Sequence, residues 1–320
     1  MPAARTARPH APAAARGVRL TDFDQLAAFF SHWQGRFEQL TAGRFEAALR
    51  VVRGRTVRAV AVAANQSVLL RGRDAADLCS FYPVITGNAG CVWQGRRLRP
   101  GGLVVHGPDA ESDHCSSRQM ESMGLSLRAE VLAEAARVLR ATDAPAAPRG
   151  WAVLTPPPDA AAGFHRRLQL LIARGTADPA LLATPEGHRL EQECVRELVA
   201  ALHPTDPAPR LPLPTRADLI RRGEEFMRAR LGDPVGAIDL CAELGVSDRT
   251  LRLAFREKYS LGPMAYYKCL RLNAVRARLK ADALPAVAAV AREFGFHHLG
   301  NFAADYRRLF GERPSATPRS

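Results

Sequence analysis

The 320-residue chain lacks the patterns that identify several classes of protein. Its six cysteines, at positions 79, 91, 115, 194, 241 and 269, form no C-x-x-C pair of the kind that zinc fingers use. No G-x-S-x-G nucleophile elbow and no glycine-rich phosphate loop is present. No apolar run reaches the roughly 18 residues of a membrane-spanning helix. We therefore expect neither a zinc finger nor a membrane protein, and we expect free thiols in the reducing cytoplasm.

A positive charge excess is present, and it is unevenly distributed. The chain carries a formal charge of +13, and residues 215–320 hold 19 basic and 12 acidic side chains. Residues 1–19 add four arginines and no acid, whereas residues 20–214 hold 22 basic and 20 acidic side chains. This distribution favours a polyanionic partner at the carboxyl-terminal third. The excess there is modest, so charge alone is weak support for DNA binding.

Two segments near the carboxyl terminus share the pattern of a helix, a glycine turn and a second helix. In the first, an apolar stripe from Ile238 is followed by Gly245 as the turn and Ser247 as an N-cap. In the second, Gly295 separates a stripe ending at Phe294 from an amphipathic helix over residues 299–310. A helix over residues 263–280 joins the two units. Taken singly, each pair could be core helices of a larger α-domain; the duplication favours two helix-turn-helix units.

The residues of both units resemble the carboxyl-terminal domain of AraC/XylS transcriptional regulators. The matching stretches are L-C-A-E-L-G-V-S-D-R-T-L-R-L-A-F, G-P-M-A-Y, R-L-N-A-V-R-A-R-L and A-R-E-F-G-F followed by F-A-A-D-Y-R-R-L-F-G-E-R-P-S. The resemblance covers about residues 216–316. Within that family, F-x-H-L-G-x-F-A-x-D-Y is most similar to the ethanolamine-operon regulator group. The amino-terminal part is similar to that group more loosely.

A double helix-turn-helix domain implies how this chain would read DNA. B-DNA repeats every ~34 Å, and a connecting helix of ~27 Å suits two reading helices about one turn apart. Arginine side chains at the start of the first reading helix match guanine edges, and later ones suit phosphate. Asn301 could pair with adenine, whereas Ala304 stands where many family members carry arginine. The candidate DNA-binding residues are Arg249, Thr250, Arg252, Arg256, His298, Asn301, Arg307 and Arg308. The alternative is that these side chains are solvated helix charges.

The amino-terminal part has mixed periodicity. Residues 22–40 have apolar spacings of three and four, which predict a helix, and residues 44–127 contain short β-prone runs with turn residues. We predict an α+β protein: a cupin-like β-sandwich or barrel effector domain with flanking helices, then the all-α domain. The predicted divisions are a disordered tail (1–19), an effector and dimerisation domain (20–202), a proline-rich linker (203–215) and the DNA-binding domain (216–316). Helices over residues 160–173 and 186–202 carry either a dimer interface or a cover for the barrel.

Candidate ligand-binding residues in this domain are few. One cluster could hold a metal, although a charged, solvated loop is favoured over a site: His106, Asp109, Glu111, Asp113, His114 and Cys115. Aromatic or polar groups near the predicted strands are the candidates for effector binding: Trp33, Phe81, Tyr82, Trp93 and His106. Each of these could equally belong to the core.

The leading hypothesis is a cytoplasmic, sequence-specific transcription activator that responds to a small molecule and is not an enzyme. The resemblance implies double-stranded DNA, RNA polymerase and a second copy of the chain as partners. If the effector follows the resemblance, it is ethanolamine with cobalamin; another small metabolite is the open alternative. We expect no covalently bound cofactor and no metal. The alternatives are a DNA alkyl-transfer repair enzyme fused to this DNA-binding domain, which would need a reactive cysteine, and an effector-independent DNA binder.

Overall fold

The structure, a computed structural model, describes residues 14–29, 34–73, 77–108, 110–140, 150–202, 215–281 and 286–318. The strands are β1 (Ala14–Leu20), β2 (Gln34–Gln39), β3 (Ala47–Arg53), β4 (Val57–Ala64), β5 (Val68–Arg73), β6 (Leu78–Pro83), β7 (Val92–Trp93), β8 (Arg96–Arg97), β9 (Leu103–His106), β10 (Glu111–Cys115), β11 (Met120–Arg128) and β12 (Trp151–Leu154). The helices are α1 (Asp24–Phe29), α2 (Ala129–Arg140), α3 (Pro158–Ala177), α4 (Pro185–Ala201), α5 (Thr215–Arg228), α6 (Ala237–Leu244), α7 (Asp248–Tyr259), α8 (Pro263–Ala281), α9 (Val287–Glu293) and α10 (Leu299–Phe310). The mixed α and β architecture confirms the predicted class.

The strands form two antiparallel sheets. One has seven strands in the order β1-β3-β4-β11-β6-β9-β12, and the other has five in the order β2-β5-β10-β7-β8. Each sheet has two ends, so the described strands make a sandwich and do not close into the barrel that was one of the predicted forms. The sandwich results from side-chain alternation, which gives each sheet two distinct faces.

The seven-stranded sheet buries its outer face under helices. Alternate residues of β4 and β11, among them Ala59, Ala61 and Leu125, pack with Leu168 and Leu171 of α3 and with residues of α4. The helices predicted over residues 160–173 and 186–202 therefore cover a sheet, as one of the two interpretations expected. A role for them in dimerisation stays a prediction.

Two amino-terminal predictions are wrong in part. Strand β1 begins at Ala14 and pairs with β3 along its length, so regular structure starts inside the predicted tail of residues 1–19. The single helix predicted over residues 22–40 is α1 followed by strand β2. The apolar spacing fitted a helix, but β2 gains a ladder of backbone hydrogen bonds with β5 that spacing does not reveal. Most of the linker predicted over residues 203–215 lies outside the described residues, as does Trp33.

The carboxyl-terminal helices follow the predicted pattern, except that Ile238, placed in the apolar stripe of α6, is 84% exposed. Helix α6 ends at Gly245 with a left-handed φ of 66°, and Ser247 caps α7 by accepting a hydrogen bond from the Thr250 backbone at 3.2 Å. Helix α10 covers the predicted residues and ends at Gly311, which has a φ of 70°. Helix α8 joins the two units. These signals are local, which explains why the sequence located them.

The turn between α9 and α10 yields a test of backbone geometry. Gly295 has a φ of 73°, and a Cβ there would lie 2.7 Å from the Gly232 carbonyl oxygen. Gly245 has a similar φ of 66°, but a Cβ there would meet nothing within 4 Å. We expect Gly245→Ala to cost about 1 kcal/mol of unfolding free energy, from the left-handed backbone alone. Gly295→Ala should cost clearly more, because the carbonyl must also move. Urea unfolding of both variants measures the difference, and equal losses would contradict this account.

Candidate functional site

Helix α7 presents one buried face and one exposed basic face. Leu251, Phe255 and Tyr259 are 0–2% exposed and pack into the core that α7 shares with α5, α6 and α8. The opposite face exposes the predicted DNA-binding residues Arg249, Thr250, Arg252 and Arg256. Because the buried aromatic side chains fix the rotation of α7, the arginines project outward as a set.

The exposed arginines of α7 are not equivalent. Arg252 is paired within the helix to Asp248, with Nε 2.7 Å from Oδ2. Arg249 has no hydrogen-bond or ion-pair partner among the described residues, so its guanidinium is available to a ligand. The Thr250 hydroxyl lies 3.0 Å from the Ser247 hydroxyl at the helix cap. Arg256 likewise shows no side-chain partner among the described residues, but Arg249 lies nearer the amino-terminal end of α7 and is therefore better placed to bind an acceptor pair on a base.

Helix α10, like α7, has one buried and one exposed face, but it carries fewer basic side chains at its amino-terminal end than α7 does. Phe302, Tyr306 and Phe310 are buried and lie in one aromatic row. The candidate residues of this unit are exposed: His298, Asn301, Arg307 and Arg308. His298 occupies the N-cap position but makes no side-chain cap hydrogen bond. The arginines lie in the last turn, away from the end that approaches bases in such units.

A cavity of about 100 Å³ lies between the two sheets. Its described lining is mostly apolar and aromatic, and comes from both sheets: Leu26, Phe37, Val60, Val62, Ala64, Val68, Leu70, Tyr82, Trp93, His106, Ser112, His114, Ser116, Met120, Ser122 and Met123. A mostly apolar pocket with a few polar groups is the usual form of a small-molecule site.

The cavity brings together three of the predicted effector-binding residues. Trp93 lies between His106 and His114, with ring centroids 5.6 and 4.9 Å away, and Tyr82 is 5.4 Å from Trp93. Phe81 does not line the cavity: it precedes Tyr82 on β6, so it points to the other face and packs under the helices. His114 had been assigned to a charged, solvated loop, but it is a buried residue of strand β10. A loop assignment was natural for a polar stretch, because the strand's partners are distant in sequence.

Burial keeps both cavity histidines neutral. Desolvation lowers the pKa of His106 to about 4, only partly offset by a hydrogen bond with the Glu111 backbone. Desolvation lowers the pKa of His114 to about 4 as well, against the attraction of Asp113. At neutral pH the two imidazoles therefore offer hydrogen-bonding groups without charge.

These pKa values predict an acid-sensitive fold. Because each imidazole binds its proton less readily in the folded than in the unfolded protein, stability is complete above the ordinary pKa of 6.5 and falls towards a pKa of about 4. The expected loss between these limits is on the order of 3 kcal/mol for each group. Urea unfolding at pH 7 and pH 5 measures the part of this loss that occurs above pH 5, roughly 2 kcal/mol for each group. His114→Gln should reduce the loss, whereas the exposed His297→Gln variant retains both buried imidazoles and serves as control. An equal loss in the two variants would argue against this origin.

The five-stranded sheet turns its other face to the carboxyl-terminal helices. On β10, Ser112 and His114 line the cavity, whereas Asp113 and Cys115 face the helices. The same alternation puts Leu70 of β5 in the cavity and Leu69 against the helical core. The cavity and the helical domain thus lie on opposite faces of one layer of backbone.

A buried cluster of charges joins that sheet face to the first helix-turn-helix unit. Arg71 contacts the Glu224 carboxylate, Lys258 lies 2.7 Å from Asp113, and the Tyr266 hydroxyl donates to Glu224. Glu224 is 0% exposed. Burial raises the pKa of Asp113, but Lys258 and Arg71 outweigh that effect and hold it below its ordinary value. Some polar atoms remain unsatisfied: within the described residues, Asp113 Oδ1 has no hydrogen-bond partner.

The amino-terminal domain also contacts the second unit. The Gly43 backbone N–H donates to the carbonyl oxygens of Arg308 and Leu309 at 3.0 and 3.1 Å. On α8, Arg276 is 4% exposed and lies 2.8–3.1 Å from carboxylate oxygens of Asp22 and Asp24. One domain therefore holds both reading helices through separate contacts.

Other chemistries have little support in the described residues. Burial raises the pKa of Cys115 and Cys194 to about 12 and of Cys269 to about 11, which disfavours the reactive thiolate. Within the described ranges, no group of three or more His, Cys, Asp or Glu side chains is placed to hold a metal ion. None of the described helices has the length and hydrophobicity to cross a membrane.

Comparison with known proteins bears on the helical domain. The family model for a helix-turn-helix domain matches residues 240–320. Residues 240–320 are a helix-turn-helix domain. The matched residues include most of α6, the reading helix α7 and the connecting helix α8. They also include α9 and α10, which form the second unit. The match covers most of the segment in which the sequence predicted two helix-turn-helix units.

Two curated proteins similar to part of this chain are named as regulators of operons. A probable thc operon regulatory protein of Rhodococcus erythropolis is 33% identical over 40% of this chain and 40% of its own length. The XylDLEGF operon transcriptional activator 2 of Pseudomonas putida is 38% identical over 25% of this chain and 54% of its own length. The alignments therefore span about half or less of these curated relatives.

A solved structure shows the same similarity. A probable AraC family transcriptional regulator of Rhodopseudomonas palustris is 39% identical, covering 31% of this chain and 94% of that chain, with a TM-score of 0.30. The helix-turn-helix family match and the two curated relatives support the resemblance of this chain to transcriptional regulators. None of these relatives distinguishes the ethanolamine-operon group.

Proposed function

We propose that this protein is a DNA-binding transcription regulator of AraC type that responds to a small molecule bound between its two sheets. The observation that carries the proposal is helix α7, which buries Leu251 and Phe255 and exposes Arg249, Arg252 and Arg256 inside a helix-turn-helix domain. Such a helix suits the major groove, where arginine pairs with guanine. The named relatives, an operon regulatory protein and a transcriptional activator, support activation as its role.

In the proposed response to a ligand, the five-stranded sheet connects the cavity to the helix-turn-helix domain. A ligand that moves His114 must move the backbone of β10, which carries Asp113 into the charge cluster with Lys258. Because that cluster is buried and not fully hydrogen-bonded, a small displacement changes its free energy appreciably. The ligand would thereby shift the balance between arrangements of the two reading helices.

Ethanolamine with cobalamin, the effector expected from the resemblance, gains no support from this cavity and stays a prediction. At about 100 Å³ it is far smaller than a corrin macrocycle. An ammonium group would need a carboxylate partner, and none of the described lining residues is Asp or Glu. RNA polymerase, a second copy of the chain and a cytoplasmic location remain parts of the proposal that rest on the resemblance alone.

The two alternatives have less support. A DNA alkyl-transfer enzyme needs an activated cysteine, and burial raises the pKa values of Cys115, Cys194 and Cys269. An effector-independent binder would leave the cavity between the sheets without a role.

The experiment that tests the proposal is selection of bound fragments from the source genome, followed by a footprint on the strongest one. We expect protection of two adjacent major-groove segments about one helical turn apart, weakening steeply as salt rises. Arg249→Ala should lose the selected fragment while keeping the fold. Absence of selective binding by folded, full-length protein at low salt would refute the DNA-binding role.

A further inference from the structure

We propose that the inter-sheet cavity selects a small, uncharged, ring-sized ligand that carries a hydrogen-bond acceptor, and that it rejects carboxylates and ammonium ions. This inference rests on the proposed function for its biological meaning, but its physical basis is the lining of the cavity. It specifies a ligand class from the side chains that would surround it.

The first argument is the absence of compensating charge. None of the described residues that line the cavity is Asp, Glu, Lys or Arg. The nearest ionic groups, Arg71 and Asp113, lie on the opposite face of the sheet and are already paired with Glu224 and Lys258. An ion in the cavity would lose its hydration without gaining a partner, which is strongly unfavourable. A neutral ligand avoids that loss.

The second argument concerns shape. The lining presents flat rings from Phe37, Tyr82 and Trp93, which favour stacked or edge-on contact with another ring. A cavity of about 100 Å³ is of the order of the ~150 Å³ cavities known to admit benzene. Met120 and Met123 line it too, and their flexible side chains can adapt to a substituent.

The third argument is an unsatisfied donor. Trp93 is 6% exposed, and within the described residues its indole N–H has no hydrogen-bond acceptor. A buried donor without a partner costs free energy that a ligand can recover by supplying an acceptor atom. The ligand should therefore carry a nitrile, carbonyl or ether group, and Trp93 should distinguish it from a plain hydrocarbon of the same size.

The test uses four probes built on one ring: benzonitrile, toluene, benzoate and benzylammonium. Full-length protein is titrated at pH 7 and followed by NMR of the Met120 and Met123 methyl groups and of the Trp93 indole N–H. We expect benzonitrile to bind about three- to tenfold more tightly than toluene, with a downfield shift of the indole proton. Benzoate and benzylammonium should bind at least about tenfold more weakly than either.

Two variants make the test specific. Trp93→Phe keeps a ring but removes the donor, so benzonitrile and toluene should bind alike. Val62→Trp fills the cavity from β4 and should abolish binding of all neutral probes, and thermal unfolding checks that each variant is folded. The inference is overturned if either charged probe matches benzonitrile, if no neutral probe binds, or if Trp93→Phe keeps the benzonitrile preference.

The ligand inference and the proposed function fail separately. DNA binding of the same full-length protein is measured on the selected genomic fragment without any probe. Loss of DNA binding with intact, Trp93-dependent benzonitrile binding would remove the regulator proposal and keep the ligand class. The reverse result would keep the regulator and remove this ligand class.

Discussion

Arg249→Ala should weaken binding to the selected DNA by roughly 1–3 kcal/mol, which is about 5- to 150-fold, and should relax the preference at one base pair. Arg249 is exposed near the amino-terminal end of α7 and is unpaired within the described residues, so its guanidinium can bind both acceptors of a guanine. Binding competition against a set of single-base variants of the site measures both effects.

Arg308→Ala is the matched control for that experiment. Arg308 is exposed in the last turn of α10, where a side chain contacts phosphate more readily than a base. We expect a similar weakening on every sequence and a salt dependence reduced by about one phosphate contact. If Arg308→Ala changes base preference and Arg249→Ala does not, the assignment of sequence reading to the first unit is wrong.

Glu224→Ala should destabilise the protein by about 3–5 kcal/mol, because it removes one partner from a buried charge cluster and leaves others uncompensated. Glu224 is 0% exposed, accepts from Tyr266 and contacts Arg71. Without it, Asp113 is the remaining carboxylate of the cluster for Arg71 and Lys258. Urea unfolding at neutral pH measures the loss.

Glu225→Ala is the control beside it in sequence. Glu225 is exposed and, among the residues that the structure describes, pairs only with Arg221, four residues earlier, across 2.7 Å. Such surface pairs contribute little, so we expect a change within about 0.5 kcal/mol. Glu224→Gln adds a second comparison, because it keeps the size of the side chain and removes its charge. Equal behaviour of Glu224→Ala and Glu225→Ala would show that the cluster does not join the domains.

The sequence predicts those parts of this protein that short-range signals determine. The helix ends near Gly245, Ser247 and Gly311 depend on backbone geometry and caps within a few residues. They could therefore be predicted directly from the sequence. The exposed arginines of α7 followed from the same periodicity.

Parts that depend on distant partners were missed. Residues 34–39 have helical spacing, yet they form a strand because β5 pairs with them and the Asn273 side chain binds the backbone of Gln39. Asp113 was read as part of a solvated loop, because its partner Lys258 is 145 positions away. The cavity is likewise built from many strands. The choice of aromatic or polar residues near predicted strands therefore found Tyr82, Trp93 and His106, but it also included Phe81, which packs on the other face of its sheet.

The two-faced strand β10 has a practical consequence for anyone building a biosensor from this chain. Substitutions at Ser112 and His114 alter what the cavity accepts, whereas Asp113 between them holds the sheet to the reading domain. A library randomised at Ser112 and His114 would therefore change the lining of the cavity while keeping the contact between Asp113 and Lys258. In β10, even-numbered residues face the cavity and odd-numbered residues face the helical domain, so contact with a ligand and contact with the reading domain fall on different residues.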